Sequence, residues 1–254
     1  MYDLLAALLP PDFGALVAVF LLAISFFTSL ISAAFGIGGG VVMIAILGSL
    51  LPPVALIPIH AVVQAGSCIG RASILFRNIH WSVLPVFLIG AVVGASVGGL
   101  TVVNLSPGVV QLCVGVFILW SIFFKPPAVV RQSGWLIGGV SSFLTMFFGA
   151  TGPFVIAYIK GLGLDRMQQV ATHATLMSFQ HVLKTLVFGV LGFAFGPWIW
   201  LIAGLILTGL LGTIVGRQVL NRTTDARFAK VLNAILFVLA LRLIFAGLSR
   251  LWWG

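Results

Sequence analysis

The chain has 254 residues, 61% of them hydrophobic and only 7% charged, with thirteen Lys and Arg against four Asp and Glu and a mean hydropathy of +1.25. A soluble domain has no way to hide that much apolar surface, so the chain belongs in a lipid bilayer. A net charge of +9 would suggest nucleic acid in a soluble protein, but these cations mostly occupy short loops and helix ends, where the positive-inside rule accounts for them and no nucleic-acid partner is implied.

In chain order, the opening MYDLLAALLPPDF carries Asp3 and Asp12 and no Lys or Arg. That argues against a cleaved signal peptide and makes the first span the membrane signal. Apolar runs follow at residues 15–34, 41–51, 54–76, 83–103, 108–124, 135–148, 154–159, 167–195, 198–220 and 228–248, separated by short linkers rich in Pro, Gly, Asn or charge. Several reach the length of roughly 20 residues that crosses a hydrocarbon core about 30 Å thick. Cys68 and Cys113 fall in apolar helices without CxxC or Cys/His ligand spacing, so both are expected as small core residues, with no disulfide, metal or cofactor.

One phrase is written twice, FGIGGG at residues 35–40 and FGATGP at residues 148–153. Phe35 and Phe148, His60 and His173, and Arg71 and Lys184 all differ by 113 positions. After a five-residue insertion in the second half, Gly94, Val97 and Gly98 match Gly212, Val215 and Gly216 at an offset of 118. The simplest cause is an internal duplication, with one membrane repeat over residues 1–127 and another over 128–254. A small-residue break repeated in two hydrophobic halves points to a transporter's binding site.

Loop charge sets the orientation. Arg77, Lys125 with Arg131, Lys160 with Arg166, and Arg217, Arg222 and Arg227 with Lys230 are predicted cytoplasmic, and the uncharged turns near residues 104–107 and 192–197 external. Between the clusters at 125–131 and 217–230 the number of crossings must be even, and residues 167–195 and 198–220 supply two. Residues 133–163 must then enter and leave on one side. As one helix they would run roughly 46 Å, too long for a single crossing, while each arm is too short to cross fully. A hairpin turning at FGATGP satisfies both constraints. The same logic gives the first half a hairpin entering from outside and turning at FGIGGG, followed by three full spans.

A hairpin plus three spans makes an odd number of crossings, which turns the second copy upside down. The expected fold is therefore all-α and polytopic: two inverted repeats, each a broken helix or helical hairpin at a Gly motif plus three spans, about eight to ten helices in all. The two tips are expected near the midplane, and Asp3, Asp12 and the C-terminus outside. Arg250 falls on the external side in this scheme, which leaves open eight spans in two parallel sets of four.

The glycines Gly36, Gly38, Gly39 and Gly40 remove Cβ atoms and permit positive φ, so substrate can approach backbone there. A helix restarting near Val41 would aim free N–H groups and a positive dipole end at the break, an anion site needing no charged side chain. In the second copy Gly149 and Gly152 take the corresponding place, Pro153 suits the first turn of the restarting helix, and Thr151 adds a hydroxyl. Close helix packing is the competing reading for each cluster. His60 and His173 are equivalent under the duplication and can bind an oxyanion. Interhelical hydrogen bonding is the alternative for them.

Gln64 and Thr172 are polar neighbours able to complete a shell. His181 lies eight residues beyond His173, on nearly the same helix face, where a heme-ligand pair is a weaker reading than a polar lining. Of the matched cations, Lys184 sits in mid-span and is the stronger functional candidate, while Arg71 could snorkel to the cytoplasmic surface beside Arg77. Arg242, in the last span, ranks lower. All four acids, Asp3, Asp12, Asp165 and Asp225, lie at ends or in loops, so no mid-membrane carboxylate is available for a proton relay or sodium cage. An intramembrane aspartyl protease, a carboxylate-bridged metal enzyme and a Ser-His-Asp triad are disfavoured too, and no enzyme is expected. Histidine is the expected carrier if protons are coupled.

With the repeat laid out, the chain resembles the sulfite exporter TauE/SafE family, also called the toluene-sulfonate uptake permease family. The matching residues are FGIGGG with the following Pro52, the stretch RASILFRNIHWSVLP leading into Gly90, Gly94 and Gly98, and GWLIGGVSSFLTMFFGATGP followed by ATHATLMSFQHVLK. The resemblance covers essentially the whole chain. It implies a multi-pass inner-membrane permease for small sulfur-containing or carboxylate anions such as sulfite, sulfoacetate or related organosulfonates. A coupling proton and a homodimer stay open. Thr151 and Pro153 replace glycines common at the second motif, which makes that tip the more side-chain-dependent. An uncoupled anion channel and a membrane scaffold or assembly protein are the alternatives.

Overall fold

The computed structural model describes residues 13–102, 106–220 and 225–253; Asp3, Asp12, Asn104 and Arg222 lie outside the described residues. Among these there are eleven α-helices and no strands. The chain is a polytopic helical membrane protein, and five helices are long and apolar enough to cross a bilayer by length and composition: Ala15–Phe35, Pro53–Ile74, Trp81–Val102, Gly196–Gln218 and Lys230–Trp253.

The first half begins with α1 (Ala15–Phe35), stopped by Gly36 at φ 79°, whose N–H bonds the Ser32 carbonyl. Gly38 at φ 104° follows, and α2 (Gly39–Leu50) restarts there. Both glycines hold φ values that other residues rarely adopt. Pro53 opens α3 (Pro53–Ile74), the N-terminal position where the missing N–H is no loss. Then come α4 (Leu84–Val102) and α5 (Pro107–Phe123).

A five-residue helix, α6 (Ala128–Gln132), leads into the second half. There α7 (Gly134–Phe148) is stopped by Gly149, again at φ 79°, its N–H on the Thr145 carbonyl. Next is α8 (Gly152–Lys160), with Pro153 in its first turn. A capping box of Asp165 and Gln168 starts α9 (Arg166–Val190), followed by α10 (Ile199–Val219) and α11 (Asp225–Trp253).

The helices cross-pack between the halves, α4 on α7 and α1 on α10. Glycine allows the backbones to touch. A methyl on Gly94 would strike the Gly139 carbonyl and one on Gly98 that of Phe143; on the other side Gly212 meets the Phe26 carbonyl and Gly216 that of Leu30. These four contacts are the same two under the offsets of 113 and 118. Here the packing reading of a glycine stripe is the correct one. Both pairs run parallel, because contact positions rise together along the two helices.

Matching helices run oppositely. In α3 and α9, His60 faces His181 with ring centroids 5.7 Å apart, while His80, just past α3, donates its N–H to Thr172 near the start of α9. In α5 and α11, Gly108 meets Gly247 and Gly115 meets Ala240. One end of the bundle therefore gathers Arg77, Lys125, Arg131, Lys160, Arg166, Arg217 and Lys230, and Arg250 is the cation of the other end among the described residues.

The two hairpins are unequal. At 21 residues α1 is a full-length span, whereas α7 has 15. In consequence the tips are staggered rather than level at the midplane: Gly36 packs on Val170 in the second turn of α9, and Gly149 lies beside Ile44 and His60 of the first half.

Candidate functional site

Between the tips, α3 and α9 enclose a polar cavity of about 30 Å³. From α3 come His60, Gln64, Cys68 and Arg71, and from α9 His173, Met177 and His181. Spacings of four, eight and eleven keep each set on one helix face. The pairs His60/His173, Gln64/Met177 and Cys68/His181 all share the offset of 113. The first tip adds Ser32, Ile37, Gly38, Gly40 and Val41, and the second Ala150 and Gly152. Both short helices start at this wall, so their N-terminal ends and unsatisfied N–H groups point a positive potential toward it.

A larger crevice of about 300 Å³ lies toward the end that carries Arg250, lined by Pro53, Ile57, Pro58, Phe188 and other apolar residues. It presents no charged side chain. The small cavity between the tips, by contrast, holds Arg71 and three histidines.

His60 and His173 are held alike. His60 Nε2 donates to the Gly40 carbonyl at 3.0 Å and His173 Nε2 to the Gly152 carbonyl at 3.3 Å. A carbonyl only accepts, so Nε2 carries the proton in both rings, and the neutral ring's Nδ1 is a bare lone pair. The Nδ1 atoms of His60, His173 and His181 are buried without a hydrogen-bond partner. Gln64 lies over Gly40, where a methyl would come within 3.4 Å of its Oε1.

The matched cations differ. Arg71 is 2% exposed, its Nη2 donates to Cys68 Sγ at 3.7 Å, and its buried Nε has no partner. The expectation of a snorkelling Arg71 is thereby corrected, because the guanidinium turns inward from the last turn of α3. Lys184, fully buried, is not in the cavity wall. Its ammonium donates to the Gly149 carbonyl at 2.7 Å and to Thr145 Oγ1 at 3.2 Å.

Of the remaining residues singled out from the sequence, Gly36 packs on Val170 and Gly39 on the Thr28 carbonyl inside the first hairpin. Gly149 accepts from Lys184, and Pro153 is part of the first turn of α8. Thr151 donates to Gln180 Oε1, whose amide in turn donates to Ser141 and Ser142. Thr172 accepts from His80 N–H. Arg242 is exposed on the outer face of α11. Ser32, Cys68, Ala150 and Met177 were not singled out; the 113-residue offset, carried further along the helices, is the signal that finds Cys68 opposite His181 and Ser32 opposite Thr145.

No carboxylate lines the cavity, and no described group of three or more His, Cys, Asp or Glu is arranged to hold a metal ion. Two interrupted helices and two long spans thus close over a buried cavity that holds Arg71 and no carboxylate, an arrangement of the kind membrane transporters use. The chain belongs to the sulfite exporter TauE/SafE family, whose model matches residues 21–243. That family is one of sulfur-anion permeases. Searches of curated proteins and of solved structures return no match.

Proposed function

We propose that this protein is a secondary permease of the cell inner membrane for small sulfur-containing or carboxylate anions such as sulfite, sulfoacetate or other organosulfonates. It works as two inverted repeats, 1–127 and 128–254, around the central cavity. The observation that carries this reading is Arg71, a buried guanidinium with an unpartnered Nε in a wall without a carboxylate. A buried cation without a counter-charge is costly, and a bound oxyanion supplies both the charge and the acceptor oxygens. The N-termini of α2 and α8 add to the attraction.

A space of about 30 Å³ holds about two waters at roughly 10–15 Å³ each. A polyatomic anion therefore enters only when the walls part, which favours a gated carrier over an open pore. If a proton is coupled, a histidine is its carrier. With Nε2–H committed to a carbonyl, a neutral ring offers an anion only a lone pair; a second proton on Nδ1 turns that repulsion into a charge-assisted hydrogen bond. One proton would thus travel with the anion.

A thermal-shift screen of the purified protein tests the reading. Sulfite, sulfoacetate or a short carboxylate at 100 times its Kd should stabilise the fold by about 2.7 kcal/mol. A flat melting temperature with every small oxyanion would remove the proposal.

A further inference from the structure

The two halves supply the same four positions on α3 and α9, and seven of the eight residues line the cavity. Lys184 is the exception. It is withdrawn onto its own hairpin, on the Gly149 carbonyl and the Thr145 hydroxyl, and Thr145 itself also donates to the Gly149 carbonyl at 3.0 Å. Subtracting 113 from Lys184, Thr145 and Gly149 gives Arg71, Ser32 and Gly36. The first half thus carries the parts of the same clamp, a cation, a hydroxyl and a positive-φ glycine. Gly36 and Gly149 even share φ 79°.

That first clamp is open. Arg71 reaches Cys68 instead, and Ser32 makes no hydrogen bond through its side chain among the described residues while lining the cavity beside Arg71. Neighbouring contacts stay close to the repeat symmetry: the Ser29–Ser67 pair matches Ser142–Gln180, and His60 and His173 each bond a first-turn glycine carbonyl, Gly40 and Gly152, one residue out of register. Among these contacts the cation clamp is the one whose partners differ.

Resting on the permease reading above, we propose that Arg71 and Lys184 exchange roles during transport. In the state described here Lys184 fastens the second hairpin and Arg71 serves the cavity. In the opposite state Arg71 fastens Ser32 and the Gly36 carbonyl, and Lys184 swings into the wall to meet the anion. With the anion bound, each cation has either a hairpin carbonyl or the anion, so neither is left buried without an acceptor, and one positive charge stays with the cargo throughout. Sequence duplication makes the two states near-equivalent in energy, which is what a two-state carrier requires.

Cys68, in the cavity wall, is a built-in reporter once Cys113→Ser removes the other thiol. Its labelling by a membrane-impermeant thiol reagent is measured from each face, in right-side-out and inside-out vesicles. Thr145→Val removes a Lys184 partner used only in the present state, and Ser32→Ala removes the Arg71 partner used only in the exchanged one. The ratio of labelling from the two faces should move about fivefold in opposite directions, the population change one hydrogen bond supports. Thr145→Ser, which keeps the hydroxyl, should leave it unchanged and guards against a packing effect. Shifts in the same direction, or no shift with either variant, overturn the exchange. Protection of Cys68 by sulfite or a sulfonate is scored in parallel: protection without opposite shifts rejects the exchange alone, and opposite shifts without protection by any oxyanion reject the anion reading alone.

Discussion

The two glycine tips share their backbone and differ in what surrounds it. Gly36 and Gly149 stop their helices at the same φ of 79°, and each restarting helix offers a first-turn carbonyl to a histidine 113 residues from the other. Yet the first tip combines a backbone contact, Gly39 against the Thr28 carbonyl, with a bond from the other half, Arg166 Nη2 to the Ala34 carbonyl, while the second is tied by side chains of its own half: Lys184, Thr145 and Thr151 with Gln180. The backbone contact holds the two arms of the first hairpin together, while hydrogen bonds at either tip can be released and remade. A duplicated motif can thus hold one geometry by two different sets of forces.

The largest test of this contrast is at the cations. Arg71→Gln should weaken sulfonate binding by about 10- to 100-fold, the loss expected for a charge-assisted bond, without loss of folding, as measured by titration in detergent. Equal binding in the variant would place the anion elsewhere. The glycines come next. Gly39→Ala drives a methyl into a backbone carbonyl that has no room to give, so it should destabilise by about 1–3 kcal/mol or more. Gly152→Ala places its methyl 3.4 Å from His173 Nε2, ordinary contact, and should cost less than about 1 kcal/mol. Melting temperatures that fall equally would erase the distinction between the tips.

Proton coupling predicts a pH slope of known sign. If a proton must sit on Nδ1 for the anion to bind, raising pH removes it and Kd for a sulfonate, whose own charge is constant, should rise about tenfold per unit where the ring titrates. Replacing His60 and His173 together by Gln should flatten that slope. A slope that survives the double replacement would move the proton to another group. The smallest effect is expected at Thr172→Val, which removes only the bond from His80 N–H: about 1 kcal/mol of stability and an unchanged Kd.

Much of the architecture is legible in the sequence. Hydropathy and loop charge were enough for an all-helical membrane protein with broken helices, because bilayer thickness and the positive-inside rule leave few alternatives. The duplication points to the Gly breaks, His60 and His173, and helical spacing from His60 points to Gln64. What the sequence could not convey is which of two equivalent side chains turns inward. Arg71 sits in the last turn of α3, a position from which snorkelling is the natural reading, and only the packing of α9 against α3 shows it enclosed. Lys184 was conspicuous for its mid-span position, yet its neighbours at Thr145 and Gly149 are 39 and 35 residues away, a contact no local pattern reveals. The stagger of the tips follows from the six extra residues of α1 over α7, which a boundary read from hydropathy does not resolve.

The most direct test of anion carriage is counterflow in proteoliposomes. Vesicles loaded with unlabelled sulfoacetate or sulfite should accumulate the labelled anion transiently above its external concentration, saturably, and Arg71→Gln should abolish the overshoot. Uptake that never exceeds equilibrium, or an overshoot that Arg71→Gln leaves intact, would contradict carriage through this cavity.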